Sequence, residues 1–381
     1  MFHTQDEIRD SLIEAGVTKA AAGLLAQQAR PAVWLKTRRV KDEERIRIGA
    51  TKLGGRPDLP DGVAWPMRPA WPDAKEHASH WPKPERKTRS RESIREEVEW
   101  MASMLPPKQR AAIMANLEET VEATMMNEPK VYQANLEIWK RHVKEEQARQ
   151  KILRSKQPLS FVAQIDLAEM WAAGPLDADI PRQGLLSIFY DVDVEPWGFN
   201  LQDRTGWMIL FHDAAAGPLT RRDVPQALQE QSFLPAACTA HACMAPLPIN
   251  TACYDRLALS SRVTNRVSSW WDENELEDSS DGKNWTCHRI GGWPTPVQGD
   301  MQTECALVHA GHGCRDSDAY ENPALAPLRA SATDWLLLAQ IGSDDKAGMM
   351  WGDCGQLYLW IRRDDLKARR FENARLTLQC S

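Results

Sequence analysis

Short apolar runs separated by turns dominate the chain. Strands are expected at 32–36, 45–49, 159–165, 185–190, 206–212, 305–309, 335–341, 356–361 and 375–379. Few segments of crossover-helix length separate them, so the strands should pair antiparallel, in an α+β class rather than a doubly wound sheet. At the amino terminus Thr4-x-x-Glu7 reads as a capping box for a helix with Ile8, Leu12 and Ile13 on its apolar face. Gly16 should end it, and Thr18 should cap a second helix that stops before Pro31. Helical spacing is clearest farther on. Ile113, Leu117 and Val121 recur every four residues, and Tyr132, Leu136, Trp139 and Val143 follow at spacings of four, three and four, with Pro129 between the two runs. The pattern predicts a helical hairpin, preceded by a short helix capped by Ser93 and Glu96 and by a linker holding Trp65-Pro, Trp71-Pro and Trp81-Pro.

The order of motifs repeats. Lys52-Leu-Gly-Gly-Arg-Pro57 is echoed by Arg289-Ile-Gly-Gly-Trp-Pro294, an Ala-Gln-Ile strand follows each (Ala163 to Ile165 and Ala339 to Ile341), and a strand opening on glycine follows those (Gly184 and Gly355). This reads as an internal duplication, with two related halves built on mostly antiparallel sheets. The first half is 32–72 plus 157–230 and the second is 285–381, within a core formed by 1–72 and 157–381. From Gly54 to Ala163 is 109 positions against 48 from Gly291 to Ala339, so the first half carries an insertion, placed at 73–156.

Several of these segments together resemble one family, the YwqG-like proteins, bacterial domain of unknown function 1963. The resemblance rests on Lys52-Leu-Gly-Gly-Arg-Pro-Asp-Leu-Pro60 with Trp65-Pro66, on Phe161-Val-Ala-Gln-Ile-Asp-Leu167, and on Gly184-Leu-Leu-Ser-Ile-Phe-Tyr-Asp191. It extends through Gly291-Gly-Trp-Pro294, Gln298-Gly-Asp-Met301, Gly348-Met-Met-Trp-Gly-Asp353 and Gly355-Gln-Leu-Tyr-Leu-Trp-Ile361. It implies an α+β fold of bacterial origin and no particular activity or catalytic residue.

Charge sharpens the division of the chain. The insertion holds 17 Lys or Arg and 14 Asp or Glu within a chain of net charge −6, so it is slightly basic while the remainder is acidic. Its basic runs are interleaved with glutamates, which fits a solvated helical face and not a nucleic-acid surface. No stretch is apolar for long enough to span a membrane. Asp6, Glu7 and Asp10 stand where an export signal would need basic residues, so a cytoplasmic location is expected, with the 8 cysteines as reduced thiols.

Three groups of residues are candidates for function. Trp270, Trp271, Asp272, Glu273, Glu275 and Glu277 open an acidic, aromatic-edged segment suited to a basic protein partner. Gly54, Gly55, Gln164, Gly291, Gly292, Gln340, Asp344, Asp345, Trp351 and Asp353 could line a ligand cleft between the halves, where glycines admit a ligand close to the backbone. Cys305, His309, His312 and Cys314 have zinc-type side chains, but a strand over 305–309 would turn Cys305 and His309 away from the other two, so no metal and no cofactor is expected. The chain has no phosphate-loop, nucleophile-elbow or His-Glu-x-x-His motif. A non-enzymatic protein-binding module of immunity type, neutralising a basic partner, is therefore the leading expectation. A small-molecule-binding protein or metal-dependent enzyme with a cleft between the repeat halves is the alternative.

Overall fold

The computed structural model describes residues 1–72, 74–75, 81–86, 89–213, 215, 217–249, 251–274, 286–315 and 317–380. They divide into two compact units, Met1–Pro69 with Gln157–Ser381, and Ala70–Lys156.

The larger unit is built on one ten-stranded sheet. In chain order its strands are β1 (Arg30–Arg39), β2 (Lys52–Leu53), β3 (Ser160–Asp166), β4 (Leu185–Tyr190), β5 (Trp207–His212), β6 (Ala236–Ala245), β7 (His288–Gly291), β8 (Trp335–Gly342), β9 (Gln356–Arg362) and β10 (Arg375–Gln379). Their order across the sheet is β10-β9-β8-β7-β1-β6-β2-β3-β4-β5, with every pairing antiparallel. The sheet is nearly closed. Beside β5 and β10, the Trp207 indole N–H donates to the Ala374 carbonyl at 3.1 Å, and the Leu378 amide donates to the Trp197 carbonyl at 3.0 Å. Such near-closure leaves little exposed edge for pairing with other chains.

One face of the sheet encloses the main core, where Val33, Leu35, Ile165, Ile188, Ile341, Leu359, Trp351 and Leu376 meet. The opposite face of β1 packs Ala32 and Trp34 against the amino-terminal helices Gln5–Glu14 and Lys19–Gln27 and the helix Ser261–Asn274. Thr4 and Thr18 cap the first two of these, each accepting a backbone N–H.

The two glycine turns hold equivalent places. Lys52 pairs with Gln164 and Leu53 with Ala163, as Arg289 pairs with Gln340 and Ile290 with Ala339. Both following ladders shift register just before the alanine, between Phe161 and Ala163 and between Leu337 and Ala339. Gly54, Gly55, Gly291 and Gly292 all have φ between 60° and 74°, where a Cβ is strained. A Cβ at Gly292 would also stand 2.7 Å from that of Ala32.

Four expectations change. The helix expected to start at Ser93 begins at Arg91 and is capped by Ser90, whose hydroxyl accepts the Ser93 amide at 3.1 Å. The segment 305–309 lies in a helix, Met301–His309, whose residues Met301–Val308 are all buried, so no amphipathic period reveals it. The segment 45–49 is not a strand; Asp42 caps a short 3₁₀ turn, Glu43–Arg45, and the chain bends there. In the smaller unit, Pro129 does not divide two helices but lies inside one, Leu117–Leu153, about 55 Å long at 1.5 Å per residue. The hairpin is made instead with the helix Arg91–Ser103, by Ile94, Val98 and Val121. No helix among the described residues is long and apolar enough to cross a membrane.

Candidate functional site

A cavity of about 740 Å³ opens beside the end of β1, within the range that holds drug-sized ligands. One wall is the segment running from β1 to β2, with Arg38, Arg39, Lys41, Arg45 and Arg47. The other carries Ala237, Cys238 and Ala240 of β6 and Met170 of the helix Leu167–Ala173. Small side chains on β6 create this space. Cys238 pairs with Thr37 and Ala240 with Leu35, so they face the core side of the sheet, and neither fills the volume a branched residue would take. Because side chains alternate along a strand, Arg39 shares the face of Thr37 while Arg38 belongs to the opposite face and reaches the cavity at its rim.

The charges are unequal. Arg47 is bound by Glu169 at 2.6 Å and Asp166 at 3.2 Å, contacts that lift its guanidinium further above its ordinary value, and Arg45 lies 3.5 Å from Asp42. The exposed side chains of Arg38, Arg39 and Lys41 have no such partner among the described residues. A buried ion network braces this wall. The Lys52 ammonium, wholly enclosed, lies 2.9 Å from Glu43 and 3.7 Å from Asp58, and Asp58 accepts from Arg221 Nε at 2.9 Å and from Gln164 Nε2 at 2.8 Å. Burial alone would raise Asp58, but Arg221, Lys52 and the Gly49 amide outweigh it and hold the carboxyl below its usual range. Burial draws Lys52 down, against the pull of Asp58 and Glu43.

Asp344 accepts from Thr37 Oγ1 at 2.5 Å and from His288 Nε2 at 3.1 Å, and all three side chains are buried. Since His288 Nδ1 accepts from the Gly342 amide, the ring proton sits on Nε2. Burial works to raise Asp344, yet His288, Thr37 and the Lys346 amide hold it at about 2. Burial, and after it the charge of Asp344, push the Cys238 thiol far above the ordinary thiol range, so it stays protonated.

Most residues singled out from the sequence do other work. Gln164 and Gln340 are enclosed, and their carbonyls accept equivalent amides, from Asp58 at 2.9 Å and Thr295 at 3.0 Å. The glycines admit neighbouring chain rather than a ligand: a Cβ at Gly54 would meet the Leu234 carbonyl, and one at Gly291 would lie 3.1 Å from Leu176. Asp344 points into the fold while Asp345 and Asp353 are exposed, and Trp351 is a core residue between Tyr190 and Phe233. These residues therefore line no common cleft. Trp270 is buried against Phe2, and its indole donates to Ser11 Oγ at 2.8 Å, so it offers no ring to a partner. Trp271 is half-buried and Asp272 and Glu273 are exposed on the same helix, while Glu275 and Glu277 lie outside the described residues. Cys305 faces Thr377 of β10, His309 stacks edge-on against Trp335, and buried Cys314 and half-buried His312 lie beyond the helix. No three His, Cys, Asp or Glu side chains among the described residues converge as a metal site would require.

The cationic wall escaped the sequence reading. Its signal was present, since Lys36, Arg38, Arg39, Lys41, Arg45 and Arg47 fall within twelve residues, but assigning 45–49 to a strand hid the bend that gathers them.

No curated protein matches the chain. A family model described as a domain of unknown function (DUF1963) matches residues 51–380, which takes in both glycine turns and all of the sheet except β1. The cationic segment 38–47 precedes that span. The chain belongs to the DUF1963 family, which is the YwqG-like family.

Proposed function

We propose that this protein is a non-catalytic binding protein that takes an anionic small molecule into the cavity between the 38–47 segment and β6. The observation that carries the reading is the unbalanced wall, where Arg38, Arg39 and Lys41 line a volume of about 740 Å³ without carboxylate partners. Guanidinium forks and an ammonium in a concave, partly desolvated setting suit a carboxylate or phosphate. Support for binding without catalysis comes from the side chains at hand. The Cys238 thiol is held protonated and the Thr37 hydroxyl is committed to Asp344, so neither is an activated nucleophile. The matching registers, glycine conformations and glutamine contacts around Lys52 and Arg289 also support descent of the two halves from one duplicated unit, in which only the first kept an open space beside its turn.

Thermal denaturation in the presence of small anions tests the reading. Phosphate, pyrophosphate and citrate should raise the melting temperature of the wild-type protein, less so as sodium chloride increases. Arg39→Glu with Lys41→Glu should abolish the shift; an undiminished shift in that variant contradicts the assignment.

A further inference from the structure

The cavity is chemically divided, and the division selects among anions. Its cationic residues all come from the segment 38–47, whereas the opposite wall offers Cys238, Ala240 and Met170 beside Glu169, a carboxylate already bound to Arg47, and Ala237, the partner of Arg38, stands with it at the rim. The Cys238 and Ala240 side chains are partly exposed, so the empty protein presents a small apolar floor to solvent. An inorganic anion would neutralise the rim and leave that floor wet. A ligand with an apolar body would cover it, and the area removed from water favours binding by about 25 cal/mol per Å².

The orientation follows from a charge outside the cavity. Buried Asp344 accepts from Thr37, whose register partner is Cys238 of the floor. Its field reaches Cys238, contributing to the upward displacement of that thiol. A negative group placed on the floor would feel the same repulsion, while at the rim it meets Arg39 and Lys41. The charge required is also bounded. Arg47 and Arg45 already face Glu169 and Asp42, and the excess resides on Arg38, Arg39 and Lys41. A head bearing two negative charges on one centre matches that excess better than a carboxylate, and a phosphate monoester near neutral pH carries about that charge, with several acceptor oxygens for guanidinium forks.

Resting on the anion-binding reading above, we infer that the ligand is a soluble phosphate monoester with an apolar body, its phosphate at Arg39 and Lys41 and its body on the floor made by Cys238 and Ala240.

Isothermal titration of the full chain with octyl phosphate, phenyl phosphate, inorganic phosphate and octanoate tests this. Octyl or phenyl phosphate should bind at least about tenfold more tightly than inorganic phosphate and octanoate. Arg39→Glu with Lys41→Glu, both exposed positions, should weaken the phosphate monoesters by at least about thirtyfold. Ala240→Leu, which fills the floor, should weaken octyl phosphate while leaving inorganic phosphate within about twofold. If inorganic phosphate or octanoate binds as tightly as octyl phosphate, and the rim variant still abolishes binding, the ligand class is wrong and the anion cavity stands. Retention on phosphatidic acid vesicles without binding of the soluble esters also overturns the ligand class. If all four probes bind the rim variant as they bind wild type, or none binds either protein, the ligand class and the anion-binding reading fall together.

Discussion

The glycine turns at Gly54 and Gly291 share backbone, register and a glutamine that holds the next amide, yet they support different chemistry. Around the first, Lys52, Arg56 and Arg221 meet Glu43 and Asp58, so charge is fixed inside the fold. Around the second, Arg289 donates to the Trp293 carbonyl at 2.6 Å, Gln340 donates to Gln356, and Trp293 packs among the amino-terminal helices. One scaffold thus serves as an ionic brace on one side and as apolar packing on the other. The brace pins Glu43 and Lys52 at either end of the bend from which the cationic wall projects, which is why the cavity lies on that side.

The largest expected effect comes from breaking the brace. Asp58→Ala leaves Lys52 and Arg221 enclosed without their shared carboxylate and should destabilise the protein by about 3–5 kcal/mol in urea denaturation. A loss below about 1 kcal/mol would show that water reaches these cations and that the network is not a brace. On the other side, Gln340→Leu removes a carbonyl that accepts the Thr295 amide and should cost about 1–3 kcal/mol, less than Asp58→Ala because no charge is stranded. Equal losses would erase the contrast between the two turns.

Acid titration sharpens the comparison. Asp344 is held at about 2 in the fold, below its ordinary 3.8, so its contribution is present above the unfolded value and lost as pH falls toward 2. Stability of the wild type should therefore decline by about 2 kcal/mol more than that of Asp344→Asn between pH 5 and pH 2. Parallel curves would mean that His288 and Thr37 do not stabilise the carboxylate. Glu304 behaves in the opposite sense. Burial raises it from its ordinary 4.5 to about 8, against a hydrogen bond from Thr377 at 3.2 Å, so the fold favours its protonated form and loses stability as pH rises from 4.5 to about 8. Glu304→Gln should flatten the fall in stability between pH 5 and pH 8; an unchanged slope would place the titration elsewhere. The smallest effect belongs to Arg39→Glu and Lys41→Glu, exposed substitutions that should leave stability within about 0.5 kcal/mol while removing ligand response.

Much of the sheet was legible from sequence. Leu185–Tyr190, Trp335–Gly342 and Gln356–Arg362 are continuous apolar runs because both of their faces are covered, and they fall where expected. β6, which pairs with β1 along its whole length, was not, since Ala236-Ala-Cys-Thr-Ala-His-Ala-Cys-Met-Ala245 has almost none of the branched and aromatic residues that mark strands. That poverty of large side chains concealed the strand and also makes the cavity. Cys305-Ala-Leu-Val-His309 failed in the other direction, because a helix buried on nearly every side reads as an apolar strand; the Asp300 cap, accepting the Gln302 amide at 3.0 Å, was the available signal. The repeated Gly-Gly-x-Pro motif was read as a duplication whose glycines could admit a ligand; the two turns hold matching registers, and their glycines admit neighbouring backbone and side chains.

The account rests on the cationic wall being a binding surface. Its most direct test is the melting temperature of the wild-type chain beside Arg39→Glu/Lys41→Glu, with and without octyl phosphate at low ionic strength. The account predicts a rise in the wild type that vanishes in the variant while the two unliganded proteins melt alike; an equal rise in both, or no rise in either, would contradict it.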